Sequence, residues 1–264
     1  MVRFIIRMSV SLLLLSFYMF YLAHRDTINY KTIYDKRLPD NFTGFRIFFI
    51  LDIHTRTIEE ATLKSIKNSI DIVIIGGDLT EKGVPLERTR ENIQKLAKWN
   101  VPIYFIWGNN DYESSPDKLY SLLIKENVTV LTNESRDISA NGQVISLLGL
   151  DCSRHREARI DLAKENAKGD YFILVTHDPN SFDEMDKEDQ YGIHTVLSGH
   201  THGGQIRLMG YGPYEKGSFQ KDGYTIKLIS EGYGYTWLPF RLGTKSECHV
   251  ITFMHDVYDH SEQG

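Results

Sequence analysis

Five short fragments of the chain carry side chains that can ligate metal ions: Asp52-Ile53-His54, Gly76-Gly77-Asp78, Gly108-Asn109-Asn110-Asp111, Thr176-His177-Asp178 and Ser198-Gly199-His200-Thr201-His202. Imidazole suits zinc, iron and their neighbours, whereas carboxylate and amide oxygens suit harder ions such as manganese. His200 and His202 alternate, so an extended segment projects both towards one centre. A carboxylate such as Asp78 can bridge two ions. Two ions about 3.5–4 Å apart polarise a phosphoryl oxygen, bring the pKa of a bound water towards about 7 and stabilise a leaving oxygen.

Asp-x-His and Gly-Asp pairs recur by chance, so each fragment says little alone. Their placement says more. Each follows a short apolar run, at residues 45–51, 71–75, 101–107, 171–175 and 194–197, and a further run lies at 144–150. These runs are rich in β-branched and aromatic residues and nearly continuous in apolar character, as strands buried on both faces are. Between them, apolar residues recur at helical spacing over 57–70, 85–99, 116–125 and 159–167; Ser115 and Pro116 suit a cap and first turn. Residues 224–229 and 249–254 read as antiparallel or edge strands. Strands alternating with helices predict a layered α/β fold. In open α/β sheets ligands bind beyond the carboxyl ends of the strands, where all five fragments would meet.

These fragments resemble the calcineurin-like metallophosphoesterase superfamily over about residues 45–255. The stretch GHTHGGQIR, from Gly199 to Arg207, looks like its membrane-associated or exported bacterial branch, which includes lipid-precursor phosphohydrolases. The resemblance implies a four-layer β-sandwich flanked by α-helices and a site for two divalent ions (Mn, Fe or Zn). It implies one ion on Asp52, His54, Asp78 and His202, and the other on Asp78, Asn109, His177 and His200. A metal-bridging hydroxide would then attack phosphorus. One position departs from the family pattern. Histidine usually follows the metal-binding asparagine, and is held to stabilise the transition state or protonate the leaving group. Here Asn110 and then Asp111 stand there. Asn110 can donate a hydrogen bond but cannot deliver a proton at neutral pH.

The expectation is therefore a phosphohydrolase that cleaves a phosphodiester or phosphoanhydride, whose leaving group needs little help. Some nucleotide-sugar-lipid diphosphatases of the superfamily also lack that histidine. The substrate would be a phosphorylated small molecule or a lipid-linked or cell-envelope precursor. The alternative is a metal-binding scaffold with little turnover. Asp111 is expected to orient Asn110 or His54, or else to cap the helix that follows. Arg56 and Arg207 are candidates to hold a substrate phosphate bidentately, with a solvated arginine as the other reading.

The chain ahead of these fragments is different in kind. Residues 8–23, MSVSLLLLSFYMFYLA, hold sixteen positions without a charge, and Phe4, Ile5 and Ile6 extend the run past Arg7. Sixteen residues reach roughly 24 Å along a helix, slightly short of a hydrocarbon core of about 30 Å, a gap that Arg7 closes by snorkelling to the headgroups. Tyr21 ill suits a signal-peptidase site, so an uncleaved anchor over residues 1–25 is expected, touching membrane lipid. A polar connector (26–44), a catalytic domain (45–256) and a short tail (257–264) follow. Basic residues are more numerous after the span than before it, but a short tail ahead of an apolar run resembles an export signal, and an extracytoplasmic domain is expected. The formal net charge is −5, and the first 25 residues hold Arg3, Arg7 and Arg25 with no acid, so the remainder is more acidic still. Such a body argues against nucleic-acid binding by broad charge attraction. Cys152 and Cys248 are too few for a disulfide framework and are expected to be buried thiols.

Overall fold

The computed structural model describes residues 1–256; the expected tail at 257–264 lies outside them. The chain opens with α1 (Val2–His24), followed by β1 (Asp26–Asp35), β2 (Arg46–Ile50), α2 (Glu60–Ser65), β3 (Ile72–Ile75), α3 (Leu86–Ala97) and β4 (Ile103–Phe105). Next come α4 (Asn109–Glu113), α5 (Pro116–Lys125), β5 (Val128–Val130), β6 (Glu134–Ala140), β7 (Gln143–Gly149), α6 (Ile160–Glu165) and β8 (Tyr171–Val175). The chain continues through α7 (Asn180–Asp183), α8 (Lys187–Gln190), β9 (Ile193–Ser198), β10 (Ser218–Asp222), β11 (Thr225–Ile229) and β12 (Ser246–His255).

Two six-stranded sheets result, ordered β1-β12-β2-β3-β4-β5 and β10-β11-β9-β8-β7-β6. They pack face to face. Ile47, Phe49 and Ile74 of the first sheet share one apolar core with Ile145, Ile173 and Leu228 of the second. The opposite face of the first sheet packs on α3 and α5, where Phe48, Ile75 and Phe105 meet Ile93, Leu96 and Leu122. The second sheet is covered by α6 and α7 through Leu148, Leu174, Ile160 and Phe182. This is the expected four-layer β-sandwich flanked by helices. Strands covered on both faces explain the unbroken apolar runs.

Several elements differ from the sequence expectation. The connector at 26–44 contains β1, which pairs in parallel with β12 from Asp26↔Ser246 to Asp35↔His255. As a half-exposed edge strand it alternates polar and apolar residues and lacks the signature of its buried neighbours. The helix expected over 57–70 shrinks to α2. Ile58 is pinned ahead of it: Asn92 Oδ1 accepts its N–H and Lys95 Nζ donates to its carbonyl. The polar edge strands β6 and β10 carry no apolar run and lie outside the strands expected from sequence. Both cysteines are buried free thiols, as expected.

Helix α1 is 23 residues long, apolar enough to cross a membrane, and its most apolar stretch is unburied. A core helix of a soluble domain would be covered. Only its end meets the domain. Ala23 is fully buried, Arg241 donates its backbone N–H to Met19 O at 3.1 Å, and the His24 ring lies 5.5 Å from that of Tyr235.

Candidate metal centre

Parallel strands β2, β3 and β4 of one sheet and β8 and β9 of the other end at the same edge of the sandwich. Past those ends the chain delivers Asp52 and His54, Asp78, Asn109, His177, and His200 with His202. Five of these seven hold a left-handed backbone: Asp52, His54, Asp78, His200 and His202 have φ between 49° and 69°. Residues with a Cβ occupy that region at a cost of order 1–3 kcal/mol each, and such strain gathers at functional sites. Here it bends each strand end so that the side chain turns inward. The loops are locked by one another: Asp52 N–H donates to Gly77 O, and both Ile53 and His54 donate to Asp78 O. Gly77 has φ 91°, and a Cβ there would stand 2.6 Å from His177 Nδ1, so only glycine fits.

The side chains form two triads, Asp52/His54/His202 and Asp78/His177/His200, each with ligand atoms within 4.8 Å of one another. His54 Nε2 and His202 Nε2 are 3.0 Å apart, and His200 Nδ1 and His177 Nε2 are 3.1 Å apart. Asp78 Oδ2 lies 3.3 Å from His177 and 3.7 Å from His54, so it faces both triads, as a bridging carboxylate must. Asp52 Oδ1 is 3.9 Å from His54 and 3.7 Å from His202. Asn109 Oδ1 and Asp52 Oδ1 are buried without a hydrogen-bond partner among the described residues. Buried oxygens without partners are costly unless a cation satisfies them. The donor set, nitrogen and oxygen mixed, therefore fits a pair of divalent ions.

Partners outside the triads orient the rings. His177 Nδ1 lies 3.0 Å from Gly76 O, and His54 Nδ1 lies 3.0 Å from Glu81 Oε2. With its Nδ1–H on Gly76 O, His177 keeps its Nε2 lone pair for the centre, and the Glu81 carboxylate beside His54 Nδ1 favours the same tautomer there. Charge follows the same layout. Burial opposes charging His177, but Asp78 and Asp52 outweigh it and raise its pKa to about 10. Burial likewise opposes charge on His54, whose pKa is nonetheless raised by Glu81, Asp78 and Asp52. Burial would raise Asp78, but His177, His54 and Asn110 hold it well below the usual carboxylate range. Burial and the neighbouring His177 lower His200 to about 4. Cationic charge is thus drawn into a pocket of carboxylates, where divalent ions can replace protons.

Asn110 faces the cavity and donates to Asp78. Asp111 makes no side-chain hydrogen bond to Asn110 or to His54. Its carboxylate accepts the N–H of Gly108 at 2.9 Å and of Thr80 at 3.1 Å, capping α4 and tying the Asn109 loop to the Asp78 loop. Asp111 is therefore placed as a positioning residue, fully buried and outside the cavity lining. Burial and the Asp78 charge raise its pKa to about 7. Arg56 is buried and points away from the cavity. It pairs with Asp26 at 2.9 Å, donates to Ser246 and Tyr233 O, and stacks on the Tyr233 ring. Arg207 donates to the carbonyls of Gly203, Gly210 and Tyr214. Both arginines are occupied by the protein itself, which corrects the reading of either as a phosphate holder.

A cavity of about 850 Å³ opens over the triads, lined by Asp78, Asn109, Asn110, His200 and His202 and rimmed by Glu81, Lys82, Arg154 and Trp237. Lys82 and Arg154 are its cations, and nothing in their local sequence marks them. Arg241 is fully buried beside His202, outside the cavity lining. It donates to the carbonyls of Glu231, Gly232 and Gly234 and lies 3.3 Å from His202 Nδ1. Glu81, three residues past Asp78, escapes sequence reasoning because no spacing rule links it to His54; Arg241, which the sequence offers as a third candidate to hold a phosphate, is instead buried beside His202.

The calcineurin-like phosphoesterase family model matches residues 45–204, which include all seven ligand candidates. The chain belongs to that family. The uncharacterized protein YpbG of Bacillus subtilis (strain 168) is 46% identical over 78% of this phosphoesterase and 80% of its own length. A Bos taurus protein described as a transmembrane protein with metallophosphoesterase domain is 29% identical, over 80% of this chain and 53% of its own. The 5'-nucleotidase precursor of Thermus thermophilus superposes with a TM-score of 0.50 at 12% identity, over 79% of this chain and 54% of that one. The last similarity concerns the fold alone. The chain spans about half the length of these last two proteins.

Proposed function

We propose that this phosphoesterase is a membrane-anchored hydrolase that uses two divalent ions to cleave a phosphodiester or phosphoanhydride, on a lipid-linked or cell-envelope precursor. The observation that carries the reading is the pair of triads facing one carboxylate, Asp78, beneath a cavity with a cationic rim. Ions bound there would polarise a phosphoryl oxygen and supply an acidified water. The chain's own residues do the rest. The seven ligands fix the centre, Glu81 and Gly76 O set the imidazole tautomers, and Lys82 and Arg154 attract and orient the anionic substrate. Among the lining residues no neutral-pH acid stands where Asn110 does, which favours a leaving group stable as an anion. The scaffold alternative is disfavoured because the ligand set is complete and its geometry is closed.

Membrane anchoring is supported by α1, and its contacts through Met19, Ala23 and His24 favour retention over cleavage. The extracytoplasmic placement is part of the proposal; protease protection of sealed vesicles decides it.

The test is a panel of alkyl monoesters, aryl diesters and lipid diphosphates, assayed with the full chain in detergent after manganese loading, beside Asp78→Asn. Diesters or diphosphates should be turned over at least tenfold faster than alkyl monoesters, and chelation or Asp78→Asn should abolish turnover. Equal rates on both classes sink the leaving-group reading. Turnover that survives both chelation and Asp78→Asn sinks the metal reading.

A further inference from the structure

Helix α1 has 23 residues and spans about 34 Å at 1.5 Å per residue. A hydrocarbon core is about 30 Å thick. A crossing therefore uses nearly the whole helix and leaves its last turn at headgroup level. The domain is attached along the last two turns, through Arg241 N–H to Met19 O and His24 against Tyr235. The segment 235–241 is thereby held at the membrane surface.

What that segment displays is unusual for a water-facing loop. Trp237 is 98% exposed and Leu238 59%. A second loop is fastened to it: Gln205 Nε2 donates to Thr236 O and Leu238 O, and Arg207 N–H donates to Leu242 O. This second loop exposes Leu208, Met209 and Tyr211, with Met209 at 98%. Residues 205–214 and 235–240 contain one charged residue, Arg207, whose guanidinium is turned back onto its own loop's carbonyls. Met209 and Trp237 both sit at positive φ, 52° and 64°, a strained conformation for residues with a Cβ. Contiguous exposed apolar surface marks an interaction site. Tryptophan and tyrosine with few charges are the composition of membrane interfaces.

Trp237 also lines the cavity over the metal centre, with Ile206 and Tyr214. The rim at the membrane surface and the mouth of the site are the same structure.

We propose that the two loops, 205–214 and 235–240, dock onto the bilayer that holds α1, with Trp237 and Met209 in its interface, so that the cavity opens at the membrane and receives a phosphorylated lipid headgroup there. The docking stands on the loops and on α1 as a span; the lipid substrate rests on the function proposed above. Lys82 and Arg154 meet the headgroup phosphate at the cavity rim. The lipid's chains remain in the membrane beside Trp237.

The experiment uses the full chain in phosphatidylcholine nanodiscs, with and without brominated acyl chains, which quench nearby tryptophan. Trp107 is buried and Trp99 packs into the domain, so the emission lost in Trp237→Phe isolates Trp237. That component should fall at least twofold on bromination. A Trp237 signal indifferent to bromination overturns the docking, whether acrylamide reaches the ring or a second copy of the chain shields it. Leu208→Glu with Met209→Glu, residues outside the cavity, should slow hydrolysis of a nanodisc-embedded lipid diphosphate at least tenfold and leave bis(p-nitrophenyl) phosphate within twofold. Unchanged lipid turnover in that variant overturns delivery from the bilayer. If wild-type protein hydrolyses neither substrate, the enzymatic reading fails while the quenching still decides the docking.

Discussion

Asn110 grips Asp78 at both ends: its backbone N–H donates to Oδ1 and its side-chain Nδ2 to Oδ2, each at 2.8 Å. The residue that stands where the family pattern leads one to expect a histidine thus braces the carboxylate that faces both triads. Hydrogen bonds to a charged group contribute about 1.5–3 kcal/mol, and Asn110→Ala removes only the side-chain one. Manganese affinity, read by calorimetry, should fall about tenfold in Asn110→Ala. Asn110→His adds a group able to protonate a leaving oxygen, an effect of about 10²–10⁴-fold where it operates. Its alkyl monoester turnover should rise at least tenfold, with a smaller change for aryl diesters; no change would remove the missing-acid account.

Glu81 orients His54 from outside the centre. Losing such a partner typically weakens metal binding about 10–100-fold. Glu81→Ala should do so with the fold intact by circular dichroism, and Glu81→Gln, which still accepts from Nδ1–H, should recover most of the affinity. If both variants bind metal as wild type does, the ring is held by packing alone.

Arg241 is the largest fully buried side chain, and its donors end on the backbone carbonyls of Glu231, Gly232, Gly234 and His202 and on Thr244 Oγ1. Arg241→Met strands the Glu231 and Gly234 carbonyls, while Gly232 O keeps the Glu247 N–H; at about 1–3 kcal/mol for each stranded group, the variant should lose more than about 2 kcal/mol in denaturant titration. Lysine cannot reproduce the planar fork, so Arg241→Lys should recover less than half of the loss. A near-neutral Arg241→Met would show that water takes over these bonds.

Glu247 links β12 to the segment before Arg241: its carboxylate accepts Glu231 N–H at 2.8 Å and Asn29 Nδ2 at 2.6 Å, and lies 3.4 Å from His249. Burial alone would raise its pKa, but His249 and these donors bring it down to about 2. A carboxyl depressed in the folded state stabilises above its unfolded pKa, near 4.5, and that stability is lost as pH falls towards 2. Wild type should be more stable than Glu247→Gln at pH 6, and the gap should shrink steadily between pH 5 and 3. A gap independent of pH would mean that the carboxylate's charge contributes nothing.

The sequence alone determined the seven ligand candidates and the strands that carry them. Buried parallel strands must be apolar throughout and can turn polar only where they end, so Asp52, Asp78, Asn109, His177 and His200 announce themselves as abrupt changes of residue type. For the same reason the half-exposed β1 and the polar edge strands β6 and β10 are illegible: pairing such as Asp26↔Ser246 joins positions far apart in the chain and leaves no local pattern. Tertiary structure decided which polar groups reach the centre and which are occupied elsewhere. Arg56 and Asp111 carry the right chemistry at the right spacing, yet Asp26 and the Gly108 and Thr80 amides claim them first. Glu81, Arg154 and Arg241 reach the site from loops whose course is set by packing. A side chain's type is written in the sequence, whereas its nearest unpaired partner exists only after the layers have closed.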